Sequence, residues 1–474
     1  MSLPPSSLVT ATTPTELPVR QIPGGYGWPL LGPVSDRLDY FWFQKPDNFF
    51  RKRMDKYKST VFRTNVPPSF PFLGNVNPNV IALLDCKSFS HLFEADLIDK
   101  KDVLVGDFVP STSFTGNIRV GVYCDTSDPH HSKAKNYTMD ILKRSSGIWV
   151  SELESKLDIM WNNLEATLSK STSVSYIFPL QQFLFTFLCK VLAGADTSRD
   201  PKIAESGYVM LDRWLALQLL PTVSIGIFQP LEEIFLHSFP YPFFLVSGDY
   251  NNLYNFLKQQ GKETINRGEI EFGLTQEEAI NNLLFVLGFN AFGGFSIFLP
   301  SLIDTIASNS TLQEKLRNEA REKGGSTLTF DSVKQMDLVQ SVVYETLRMN
   351  PPVPLQYGRA RRDFRLSSHD SAFDVKKGEL LCGFQKLVMR DPVIFDEPEL
   401  FKPDRFTKDQ GAHLLNYLYW SNGPQTASPT TSNKQCAGKD VVTLTAALFV
   451  AYLFRRYDSI KGDGSSITAL QKAK

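Results

Sequence analysis

Residues 433–454 read NKQCAGKDVVTLTAALFVAYLF, a cysteine followed two positions later by glycine and then by a long apolar run of helical character. A helix N-terminus offers free backbone N–H groups and the positive end of the dipole, which favour a thiolate and suit Cys436 to hold a metal. Gly438 carries no Cβ, so a flat ligand could come close to the backbone there. Alone the pattern is weak, because a cysteine ahead of an apolar helix usually serves as a small core residue.

Two upstream features add weight. In VVYETLR, Glu345 and Arg348 stand three apart on one helical face, and Arg405 follows in PDRF. The planar guanidinium forks match carboxylate and carbonyl oxygens, so this set could fix an irregular loop that carries a ligand. Any one Glu–Arg pair at that spacing would otherwise read as a surface ion pair.

Working outward, the 474 residues hold 50 Lys+Arg against 50 Asp+Glu, which argues against a polybasic nucleic-acid binder or an acidic disordered tail. The composition is that of a globular chain, and its 36 Phe point to large apolar cavities or contacts. Cys86, Cys124, Cys189, Cys382 and Cys436 form no CxxC pair, which excludes a disulfide framework or zinc cluster and makes a reducing compartment the default. The first 25 residues are rich in Ser, Thr and Pro with no apolar core of signal-peptide type. A flexible segment over 1–21 and one domain over 22–474 are expected.

Helical periodicity covers Ala134–Leu142, Ser151–Leu168, Leu180–Leu192, Ser206–Leu220, Tyr250–Arg267, Gln276–Ser310 and Ser332–Met349. Leu283–Pro300 is uncharged over 18 residues, but Asn290, the Gly293-Gly294 pair and the terminal Pro favour a buried central helix over a membrane span. NVIALLD (79–85) and the Pro-rich region 350–385 read as short strands. The fold class is therefore mainly α with minor β, in a single large domain.

In combination and in this order, ExxR, PxRF and the helix-leading Cys resemble the haem-thiolate cytochrome P-450 superfamily, from PGGYGWPLLGP (23–33) to the last helix. The resemblance implies haem b with Cys436 as its axial thiolate and Glu345, Arg348 and Arg405 as a structural triad. Two departures are informative. WSNG (420–423) is followed by twelve residues before Cys436, where the superfamily has a short loop. GFNAFGG (288–294) in the central helix lacks the acid–alcohol pair that delivers protons to bound dioxygen. Splitting O2 requires electrons and protons, whereas a substrate that already contains an O–O bond requires neither to begin.

These departures, with KKDVLVGDFVPSTSFTG (100–116), DPHHSKAKN (128–136) and FRRYDS (454–459), resemble a plant subfamily of allene oxide synthases, fatty-acid hydroperoxide lyases and divinyl ether synthases. Within it the chain looks most like lyases that accept 9- and 13-hydroperoxides of linoleic and linolenic acid and form aldehydes and oxo-acids through a hemiacetal. By this resemblance Asn290 hydrogen-bonds the hydroperoxide and is the catalytic residue, and Lys100, His131, Lys135 and Lys434 meet the haem propionates. Leu104 stands at a substrate-binding position where the allene oxide synthases carry Phe, which favours the lyase; the dehydrases remain the alternative. The expected partner is the hydroperoxide, with no reductase and no nucleic acid. The expected location is the cytoplasm or the periphery of a membrane or lipid body, and Val223–Val246 is the candidate lipid-facing stretch.

Overall fold

Thr275 opens the central helix with a reciprocal cap: its hydroxyl accepts from the Glu278 N–H, and the Glu278 carboxylate accepts from the Thr275 N–H. A computed structural model of the chain describes residues 17–67, 76–222, 225–226 and 229–473. From the cap the chain is α-helical over Gln276–Phe285, widens to a π-turn over Val286–Phe292, and resumes as α-helix over Gly293–Ala307. Ser310, expected at the end of this segment, instead starts the next helix, Ser310–Lys323, because Asn309 caps it through the Leu312 N–H.

The central helix is the one described helix long and apolar enough to cross a membrane. It packs against helices Ile177–Ala193, Pro201–Leu219 and Asp337–Met349, which is the position of a core helix. Close approach to Pro201–Leu219 depends on glycine: a Cβ at Gly288 would lie 2.8 Å from Trp214 Cζ3 and 2.9 Å from Leu211 Cδ1.

Around it the helical segments largely follow the periodicity, with three differences. Ala134–Leu142 and Ser151–Leu168 are one helix, Pro129–Leu168, capped by Asp128. Ser145 and Ser146 fold their hydroxyls back onto the Leu142 and Lys143 carbonyls, and buried Trp149 ties the helix to Thr445 in the last helix at 2.9 Å. Packing thus carries the helix through a stretch of poor local propensity. Tyr250–Arg267 is divided at Gly261 into Ser247–Gln260 and Lys262–Phe272, and Ser332–Met349 is divided before Asp337.

The strands are β1 (Val19–Arg20), β2 (Val61–Asn65), β3 (Asn79–Leu83), β4 (Ile98–Asp99), β5 (Val174–Ser175), β6 (Leu355–Ala360), β7 (Phe364–Ser367), β8 (Ala372–Val375), β9 (Leu380–Phe384), β10 (Tyr457–Gly462) and β11 (Ser466–Lys472). They form a five-stranded sheet β2-β3-β9-β6-β4 and two three-stranded sheets, β1-β8-β7 and β10-β11-β5. Residues 1–16 of the expected flexible segment lie outside the described residues. Val19 and Arg20, placed in that segment by the sequence reading, already pair in parallel with Ala372 and Phe373.

The Glu345–Arg348–Arg405 set forms as expected and is buried. Arg348 grips Glu345 through Nε at 2.7 Å and Nη2 at 2.8 Å, and Arg405 Nε reaches the same carboxylate at 3.1 Å. The remaining donors go to backbone: Arg348 to the carbonyls of Met389, Pro398 and Leu400, and Arg405 to those of Asp396, Glu397 and Leu400. Residues 389–406 have no helix or strand ladder of their own, so these guanidinium groups satisfy carbonyls that would otherwise be stranded. Glu345→Gln leaves two buried cations short of a partner and is expected to cost about 3–5 kcal/mol. The checking measurement is denaturant unfolding of the haem-loaded protein; a loss near zero would mean that the carboxylate is not needed.

Candidate active site

Cys436 lies just ahead of the last helix, Lys439–Arg456, with Gly438 at its cap. The Cys436 N–H donates to Ser421 O at 2.9 Å and its carbonyl accepts from Lys439 N at 3.2 Å, so the backbone on both sides is pinned. The twelve-residue insertion is held by its own polar groups. Gln435 Nε2 donates to Pro424 O, Lys439 Nζ to Gln425 O, Asn433 Nδ2 to Ser428 O, and Asn422 Nδ2 to Lys434 O. Among the five cysteines, four are buried and Cys436 lines the cavity between the central helix and its own loop. Burial raises its thiol above the ordinary value, opposed by the Lys135 ammonium and the Gly438 N–H. A sulfur in this setting gains from a metal cation, which stabilises the thiolate directly.

The cavity lies between Pro129–Leu168, the central helix and the Cys436 loop. His131, Lys135 and Lys434, three of the four residues named for the haem propionates, line one rim. His131, rather than its neighbour His130, is the cavity residue; His130 turns toward Glu278, with 3.5 Å between Nδ1 and Oε1. Burial, with repulsion from Lys434 and Lys135, pushes His131 down to about 4, so its ring is neutral at pH 7, and its buried Nδ1 has no partner among the described residues. Burial also pushes Lys135 and Lys434 down to about 8, Lys434 with repulsion from Lys135. Lys135 donates to Gln435 O.

Lys100 stands apart from the lining and donates to Tyr357 O at 2.6 Å; burial and Lys434 push it down to about 7. Lys434 spends its ammonium on three carbonyls, those of Gly121, Val122 and Cys124, at 3.1, 3.0 and 2.7 Å. An ammonium has three N–H donors, so Lys434 acts as a brace in this geometry rather than as a free anion donor.

Opposite Cys436, the central helix contributes Asn282, Phe285, Val286, Asn290, Ala291 and Phe295 to the lining. Asn290 sits in the π-turn, a local widening that often accompanies function. Phe285 and Phe289 stack at 4.7 Å, and a Cβ at Gly294, one turn past Asn290, would meet nothing within 4 Å. The polar ends of Asn282 are committed: Oδ1 accepts from Gly121 N at 2.9 Å and Nδ2 donates to Glu278 O at 2.8 Å. The Asn290 carboxamide has no hydrogen-bond partner among the described residues. Leu104 is half-buried against the main core and does not line the cavity, so its expected contact with substrate finds no support in this arrangement. The sequence reading missed Gly121, Asn282 and Gln435 as cavity residues; a polar Asn282 eight residues before Asn290 on an apolar helix was the available signal.

Residues 89–468 match the family model described as Cytochrome P450. The chain belongs to this family. It is 60% identical over 479 residues to a chloroplastic linolenate hydroperoxide lyase of Arabidopsis thaliana, covering 99% of this chain and 97% of the relative. It is 61% identical to a chloroplastic fatty acid hydroperoxide lyase of Solanum lycopersicum, with 99% of each chain covered. A chloroplastic allene oxide synthase of Linum usitatissimum is 42% identical over 96% of this chain and 84% of its own. Among solved structures, a retinoic acid bound cyanobacterial CYP120A1 superposes with a TM-score of 0.68 at 18% identity, covering 96% of this chain and all of that one.

As a P450, the protein is a haem-thiolate enzyme, and its residues fit the group. A cavity-facing thiol stands at one wall, and the neutral His131 ring, its buried Nδ1 without a partner among the described residues, stands at one rim with the Lys135 ammonium, whose pKa burial lowers and a carboxylate would restore. Gly438 leaves the backbone beside the sulfur open, since the atoms nearest a Cβ there lie 3.8–4.0 Å away. Cys436→Ala is expected to abolish the thiolate-type absorption of the ferric and carbonyl forms while helical content by circular dichroism stays unchanged.

Proposed function

We propose that the protein is a fatty-acid hydroperoxide lyase with haem b as its cofactor, converting 9- and 13-hydroperoxides of linoleic and linolenic acid to aldehydes and oxo-acids. The observation that carries the reading is the wall facing Cys436, where, among the described residues, the central helix brings one carboxamide without a partner and no ionisable side chain. A wall without a titratable group cannot relay protons to dioxygen, but it can hold a hydroperoxide. The overall change is an isomerisation followed by a split. The O–O bond and one C–C bond break, two C–O bonds form, and the resulting hemiacetal parts into an aldehyde and an enol that becomes the second carbonyl compound. No electron or oxidant enters from outside.

The haem, when bound, supplies homolytic cleavage of the O–O bond. Asn290 orients the peroxide, offering an N–H donor and a carbonyl acceptor from the π-turn. Phe285, Val286, Ala291 and Phe295 exclude water, which keeps the reacting carbon from being captured before fragmentation. His131 and Lys135 would hold the haem propionates when the group is bound, and Lys100, outside the lining and bonded to Tyr357 O, would contribute only through its charge. The lyase is preferred to the allene oxide synthase because identity to the lyases is 60–61%, against 42% for the Linum usitatissimum synthase.

The enzyme works at a lipid surface in this reading. Between Leu215 and Gly248 the charged residues are Glu232 and Glu233, and both are buried on Arg37 and His237, while Leu231, Ile234, Phe235, Phe244 and Leu245 stand exposed. Trp28, Leu30, Leu31 and Phe43 are also exposed on the N-terminal side, which Arg37 and Trp42 join to Glu233. A segment that turns its ionisable groups inward and its aromatics outward suits an apolar surrounding, and its substrates are amphiphiles.

Purified protein given 13-hydroperoxylinoleate without NADPH or reductase is expected to yield aldehydes; ketols would restore the synthase, and a requirement for NADPH would restore a monooxygenase. In the same assay Asn290→Ala is expected to slow consumption by an amount equal to about 1–3 kcal/mol of barrier. The double change Phe235→Ser/Phe244→Ser is expected to lower co-sedimentation with phospholipid vesicles while leaving turnover of detergent-dispersed substrate intact; undiminished sedimentation would remove the lipid-facing assignment.

A further inference from the structure

One residue of the rim is held from both sides of the cavity. Gly121 gives its N–H to Asn282 Oδ1 of the central helix at 2.9 Å, and its carbonyl accepts from Lys434 Nζ of the Cys436 loop at 3.1 Å. There is no room for a side chain, because a Cβ at Gly121 would lie 2.6 Å from the Ala134 Cβ of Pro129–Leu168. Three elements therefore converge on a single backbone unit. Lys434 extends the grip to the carbonyls of Val122 and Cys124, and Phe285 meets Tyr123 edge-on with ring centroids 5.9 Å apart. Asn282 is itself oriented by donating to Glu278 O one turn back, which leaves its oxygen facing the turn.

We propose that Asn282 is a positioning residue of the reaction: through the turn 121–124 and Lys434 it fixes the wall that carries Asn290 against the loop that carries Cys436. It does not touch substrate, since both polar ends of its carboxamide are already used. The turn is the shared part. Either group, once removed, frees the same short piece of backbone, so the two contacts stand or fall together. A spacing held this way places the Asn290 amide relative to the sulfur, and a displacement of about 1 Å suffices to slow a positioned reaction strongly. The inference rests on the haem-thiolate lyase reading for its kinetic consequence, but its structural consequence does not depend on the substrate.

The test uses the haem-loaded protein and the variants Asn282→Leu, Asn282→Asp, Lys434→Met and the double Asn282→Leu/Lys434→Met. Hydrogen exchange of the peptide spanning 118–124 is expected to accelerate about 5- to 10-fold in Asn282→Leu, the scale of one buried hydrogen bond. The same variant should lower kcat with KM within about twofold of the parent, and shift the spin-state balance of the ferric spectrum. Asn282→Asp retains the acceptor but loses the donor to Glu278 O, so it should restore exchange and spectrum only in part. In the double variant the exchange should be no faster than in the worse single one. Multiplicative effects in the double variant, or unchanged exchange in Asn282→Leu, would overturn the proposal. Should Asn282→Leu fail to load haem, Asn282→Ala replaces it in the same cycle. If the parent proves inactive on hydroperoxides, exchange and spectra still decide the positioning role, and only the lyase reading fails.

Discussion

The buried carboxylate of Glu345 is the constraint on which the site depends. An ionised group inside a protein must be matched by charge and by hydrogen bonds, and Glu345 is matched by two arginines from different parts of the chain and by the Lys402 N–H. The arginines in turn serve five separate backbone carbonyls between Met389 and Leu400. An irregular segment can be buried only if its polar groups are satisfied, so this triad is what allows residues 389–406 to run toward the Cys436 loop without a helix or strand of their own. Met389 carries the order one step further, since its sulfur lies 3.4 Å from the Tyr419 N–H just before WSNG.

From there the architecture divides the labour between two walls. The proximal wall is a pinned loop ahead of a helix N-terminus, and it supplies sulfur, cations and open backbone. The distal wall is a largely apolar helix in which Gly288 and Gly293 admit the neighbouring helix, and Asn290 brings a carboxamide with no partner among the described residues to the cavity. A hydroperoxide brings its own oxidising equivalent, so such a wall lacks nothing that the reaction needs. The rim joins the walls, and Lys434 has become part of that joint rather than a propionate donor, because three carbonyls of one turn take all its N–H groups.

Several elements were legible because their physics is local. The amphipathic helices and the apolar last helix follow from short-range patterns, and Glu345, Arg348, Arg405 and Cys436 were found where their order in the chain placed them. Other features escaped for equally physical reasons. The helix Pro129–Leu168 continues through Ser145–Gly147 because Trp149 is buried against Thr445, a contact nearly three hundred residues away in sequence. His131 was named by resemblance alone, because the helix phase that sets it apart from His130 is not visible in a pair of adjacent histidines. Leu104 could be assigned by position in a motif, but only packing showed that it faces the core and not the cavity.

The sequence by itself determined the chemistry: a thiol ahead of a helix, a carboxylate with two arginines, and a central helix bearing Asn290 in place of a proton relay. Residue type and order suffice for that, since each of these groups has few alternatives for its charge or donors. The tertiary structure decided which groups are free to act. Hydrogen-bond capacity is finite, and whether a donor is spent depends on partners from distant segments: Gly121 occupies Asn282 and Lys434, Tyr357 occupies Lys100, and the π-turn leaves Asn290 uncommitted.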